Sequence, residues 1–156
     1  HLSSSNMEHD LIAKQMVNTG IVFGILGLVT GSIWAKFTWG AYWTNDIKLN
    51  GSAITMLVYF AYLILRSSMD EEQKRGRIAA VYNIFAFVML IVFIGVLPGM
   101  YDSLHPGNGG NPAFDSYDLD SNMRLVFYPA VIGWILLSLW IANLNIRLNK
   151  LKDKEE

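Results

Sequence analysis

The chain has 156 residues, room for one small domain, and 53% of them are hydrophobic against only 16% charged. A formal net charge of −1 removes the basic face with which a nucleic-acid binder displaces counterions, so that class is excluded. Cysteine is absent, which excludes disulfides, thiolate metal sites and cysteine nucleophiles.

The charges are clustered, and the long charge-free runs between them point to lipid as the solvent. The chain starts at His1 rather than methionine, so it is expected to be processed, tagged or cut from something longer, and it shows no readable signal peptide. His9, between Glu8 and Asp10, belongs to a polar lead-in and reads as a solvated residue. The first span is predicted at residues 17–35, with no ionisable residue between Lys14 and Lys36. At about 1.5 Å per residue it is just long enough for a hydrocarbon core of about 30 Å. Gly20, Gly24, Gly27 and Gly31 form one stripe of that helix. Such a stripe lets another helix backbone approach closely, or it leaves a groove for a flat ligand.

An outer loop at 36–49 follows, and it is the most unusual part of the chain. Trp34, Trp39 and Trp43, three of the five tryptophans, fall within ten positions. If the segment is helical, Trp39, Trp43 and Asp46 share a face that offers aromatic planes and one carboxylate. An interfacial aromatic belt would also use Trp and Tyr here, but a belt needs neither a fixed spacing nor an acid. A second span at 50–66, a charged loop at 67–77 and a third span at 78–98 come next.

The outer loop at 99–124 holds His105, ahead of Pro106 and several glycines. Pro106 excludes a continuing helix, so the imidazole is expected at a loop edge near the membrane. A neutral imidazole there is either an ordinary polar residue or a metal ligand. Asp115, Asp118 and Asp120 are too loosely spaced for a calcium loop and lack its bidentate glutamate, so they read as solvated. A fourth span at 125–146 and a Lys/Glu tail at 147–156 complete the chain. The expected fold class is therefore all-α, a polytopic membrane bundle of about four helices with a tryptophan-rich outer segment. Nine Lys and Arg on the termini and the 67–77 side, Arg66 included, oppose Lys36, Lys48 and Arg124. The positive-inside rule then puts both termini in the cytoplasm and the tryptophan segment outside. No phosphate-binding glycine loop, H-E-x-x-H or Ser/His/Asp set is present.

The stretch from Gly31 through Trp34, Trp39, Tyr42 and Trp43 to Asp46 resembles the tryptophan-rich signature of the CcmC/CcsA family of cytochrome c assembly proteins, and of its CcmC branch in particular. His105, in the next outer loop, extends the resemblance to about residue 146. The family has six spans, with an outward histidine loop on either side of the tryptophan segment. The resemblance therefore implies that these four spans are the last four. It makes His105 an axial ligand of haem iron, with the other axial histidine upstream of residue 1 and not His1 or His9. Trp34, Trp39, Tyr42, Trp43 and Asp46 would complete the haem-binding platform, with Asp46 orienting the segment. The implied cargo is haem b, handed to the chaperone CcmE with CcmA, CcmB and CcmD as partners, in the bacterial inner membrane. The chain would then be a carrier rather than an enzyme. Tyr42 and Asn45 stand where the family usually has tryptophan, which alters the detailed contacts. Two rival readings are a CcsA-type cytochrome c synthase component and a non-haem transporter subunit whose tryptophans are only a belt. A transporter would more often carry ionisable residues inside its spans; the first and third have none, and Asn83 is the most notable polar residue of the third.

Overall fold

Residues 2–105, 119–152 and 154–155 are described by the structure, a computed structural model. Among them, all regular structure is helical, in four long helices that are each apolar enough to cross a membrane. They are α1 (Met7–Trp39), α2 (Ile47–Ser67), α3 (Glu72–Met100) and α4 (Ser121–Lys152). The expected loop positions Asp115 and Asp118 lie outside the described residues.

Every helix outruns its apolar stretch, because capping and backbone bonding continue into polar sequence. Asn6 caps α1 by accepting the Glu8 amide at 2.8 Å, and Glu8 and Asp10 sit where the helix dipole favours acids. The 33 residues of α1 therefore span roughly 50 Å and stand clear of the hydrocarbon. The α3 helix changes pitch near its end: Ile91–Val96 is a π-helix, and the Leu97 N–H donates to the Val92 carbonyl. Pro98 lies in the next turn and has no N–H to offer the carbonyl four residues earlier, which accounts for the disturbed ladder.

The helices meet through small side chains. Ala35, Ala79, Ala86 and Ala142 are buried, whereas large apolar residues such as Val22, Leu57 and Leu136 are exposed. Hydroxyls inside the spans bond to their own helices, as Thr30 does to the Leu26 carbonyl at 2.8 Å and Ser138 to that of Trp134 at 2.8 Å. α1 packs on α2 and α4, and α3 packs on α2. Phe23 meets Trp134 edge-on at 5.8 Å across the α1–α4 contact, and Tyr82 donates to the Val58 carbonyl at 3.0 Å between α3 and α2.

Arg66, counted above on the charged side of the bundle, is not a solvated surface charge. It lies inside α2, is buried, and makes a two-pronged ion pair with Asp10 of α1, both bonds at 2.7 Å. Lys150 of α4 donates to Glu8 nearby. The start of α1 and the ends of α2 and α4 therefore share one end of the bundle. The tryptophan segment and His105 share the other.

Candidate functional site

The end that holds the tryptophans and His105 is built by two helix termini. Gly40 ends α1 in the left-handed region, at φ 81°, and its N–H returns to the Lys36 carbonyl at 3.1 Å. A side chain at that φ would be strained, so glycine is what lets the chain turn here. Residues 40–46 are not helical, so Trp39, Trp43 and Asp46 do not share a helix face as the spacing had suggested. Asp46 instead caps α2 and accepts the amides of Lys48 at 2.9 Å and Leu49 at 3.3 Å.

The same carboxylate reaches the segment after α3. Ser103 Oγ and the Leu104 N–H each donate to Oδ2 at 2.7 Å, and His105 Nδ1 stands 3.3 Å from Oδ1. Asp46 is buried, with its side chain 2% exposed. Burial raises its pKa, but donors from Ser103, Leu104, Lys48 and Leu49 together outweigh burial and hold the carboxyl below the ordinary carboxylate range. Sequence reasoning missed Ser103, whose only signal is its position two residues before His105.

His105 packs against two indoles. Its ring meets Trp39 edge-on, with centroids 4.6 Å apart and planes at 77°, and Trp34 lies 6.2 Å away. The two indoles are themselves edge-to-face at 5.1 Å. Trp43 and Tyr42 stay outside this cluster, and both are exposed. The Trp43 indole donates to Asn50 Oδ1 at 3.2 Å, and Asn50 in turn donates to Asn45 at 2.7 Å. Asn45 thus ties the turn to α2. The Lys36 ammonium sits 5.6 Å from the centre of the Tyr42 ring.

A groove of about 1120 Å³ runs along α1 between α2 and α3, with His105 and Lys48 among its lining residues near one end and His9 and Asp10 near the other. The glycine stripe lines it. Beta carbons at Gly20, Gly27 and Gly31 would meet nothing within 4 Å, so these three do not serve close helix contact; only Gly24 is crowded, by Met56. Among the described residues no group of three His, Asp or Glu side chains is placed to hold a metal ion.

The family model described as CcmC, heme exporter protein C, matches residues 4–156. The "Cytochrome c biogenesis protein CcsA" of Prochlorococcus marinus subsp. pastoris is 38% identical over 93 residues, which cover 60% of this chain and 29% of that protein. The "Heme exporter protein C" of Escherichia coli K12 is 27% identical over 138 residues, covering 88% of this chain and 54% of that protein. The chain thus spans about half the length of one relative and under a third of the other.

Proposed function

The chain belongs to the CcmC (heme exporter protein C) family, and on that premise we propose that it presents haem on the outer face of a bacterial inner membrane. The observation that carries this reading is His105, a loop imidazole seated against Trp39 and beside Trp34 at the end where Tyr42 and Trp43 are exposed. A neutral imidazole is a common axial ligand for haem iron, and indoles offer apolar faces to a flat macrocycle while tolerating water at their edges. An interfacial site also leaves the propionates in water. The second axial ligand is not His9, which lies roughly 45 Å from Trp39 along α1 at 1.5 Å per residue.

In this reading the cargo is haem b before its attachment to a cytochrome. Asp46 orients the segment, the haem passes to the chaperone CcmE, and CcmA, CcmB and CcmD are the partners. The chain makes no covalent bond in a substrate, and so acts as a carrier. Termini and the 67–77 loop face the cytoplasm. The higher identity with the CcsA relative favours one second reading, a synthase component that also helps attach haem to the apocytochrome.

The protein purified from membranes tests the proposal. His105→Ala is expected to lower the haem that co-purifies and to shift its absorption spectrum. Unchanged haem content and spectrum would sink the reading. Thioether-linked haem on a co-expressed apocytochrome, in cells without other assembly factors, would favour the synthase.

A further inference from the structure

We infer that Asp46 is a positioning residue that acts through His105: its buried carboxylate accepts a hydrogen bond from the imidazole Nδ1–H and so presents Nε2 as the nitrogen for iron. The inference rests on the haem reading above. It assigns the acid a task beyond ordering the tryptophan segment.

The geometry has three parts. First, His105 Nδ1 is 3.3 Å from Asp46 Oδ1, while the ring edge is fixed from another side by Trp39. A neutral imidazole carries one N–H, and only that nitrogen donates. A carboxylate with no proton of its own accepts it, which selects the tautomer with Nε2 unprotonated. Second, the carboxylate is itself immobile. It accepts from two amides at the start of α2, from Ser103 Oγ and from the Leu104 N–H, and its side chain is almost wholly out of water. Third, the backbone beside the ligand is tied to the same group, since the His105 N–H donates to Ser103 Oγ at 3.1 Å and Ser103 donates onward to Asp46. Ring orientation and loop position therefore depend on one anion. A carboxylate behind a ligating histidine fixes ring direction and raises ligand basicity, and losing it typically lowers metal affinity by about 10–100-fold.

Truncating Asp46 would also uncap α2, so the decisive test leaves Asp46 in place. In His105→Gly protein, haem is added with either imidazole or 1-methylimidazole. Both bind iron through a free nitrogen, but only imidazole retains an N–H for the carboxylate. After correction for their affinities toward haem in the same detergent, imidazole is expected to restore the wild-type spectrum at about tenfold lower concentration. Adding Asp46→Asn to His105→Gly, which leaves only a neutral acceptor, is expected to weaken that preference. Equal potency of the two azoles, or recovery with neither, overturns the inference while the altered spectrum of His105→Gly keeps the haem reading. A spectrum that His105→Gly does not alter overturns both.

Discussion

Asp46 joins two stretches of chain that lie far apart in sequence: the turn that leads into α2, whose first amides it caps, and the segment after α3. Hydrogen bonds to a charged acceptor contribute more than neutral ones, and here the acceptor is buried, so each lost donor is felt. Ser103→Ala is expected to cost about 2 kcal/mol at neutral pH, read by thermal unfolding in detergent against the parent protein. The pH dependence has a definite sign. The folded-state pKa of Asp46 is depressed, so the stability it contributes is complete above the unfolded-state value, about 4, and is lost as pH falls through the folded value. The gap between Ser103→Ala and the parent should therefore narrow in acid. A gap that stays constant however far the pH falls below about 4 while the protein remains folded would mean that Ser103 stabilises something other than the ionised carboxylate. Asp46 stands out in the sequence as the one acid beside the tryptophans. Its partner Ser103, 57 positions on, carries no local pattern, since only the fold brings the two together.

The glycines of the spans divide by what faces them. At Gly51 of α2 a methyl group would strike the Phe93 carbonyl oxygen, in the π-turn of α3, and a backbone atom cannot swing aside. Gly51→Ala is expected to push α2 from α3 and lower thermal stability by about 1–3 kcal/mol, the usual range for overpacking. Gly27→Ala meets open groove and should raise stability by up to about 1 kcal/mol through helix propensity alone. Equal responses in a detergent melting assay would contradict this division. The stripe itself is legible from its i, i+4, i+7, i+11 spacing, but whether it faces a helix or a void depends on the neighbours, which spacing does not encode. The Asp10–Arg66 pair was illegible for a related reason: Asp10 reads as part of a polar lead-in and Arg66 as a charge at the end of a span until α1 and α2 are docked. Breaking a buried pair strands one charge, so Asp10→Asn is expected to cost about 3–5 kcal/mol. Asp10→Leu with Arg66→Met should recover most of that loss on urea titration. A double variant no better than Asp10→Asn would show that the site needs the charges themselves.

The bundle has two chemically different ends. One gathers the first turn of α1, the ends of α2 and α4 and most of the basic residues; the other gathers the tryptophans, Asp46 and His105. These groupings are contacts of the fold and hold whichever way the molecule sits in a membrane. Orientation is a separate question of charge. Arg66 is neutralised by Asp10 in the interior, leaving eight Lys and Arg at its end against Lys36, Lys48 and Arg124 at the other, so the bias that sets orientation survives the correction. The chain has no cysteine, which makes each introduced thiol the only target of a maleimide. Asp102→Cys and Asp70→Cys replace exposed residues at the two opposite ends and leave every Lys and Arg in place. A membrane-impermeant maleimide applied to intact spheroplasts is expected to label the Asp102→Cys protein and to reach the Asp70→Cys protein only after lysis. The reverse pattern would put the tryptophan and histidine end in the cytoplasm, where an outward haem platform has no place. Labelling of both in intact cells would mean that the four helices do not cross the bilayer as one bundle.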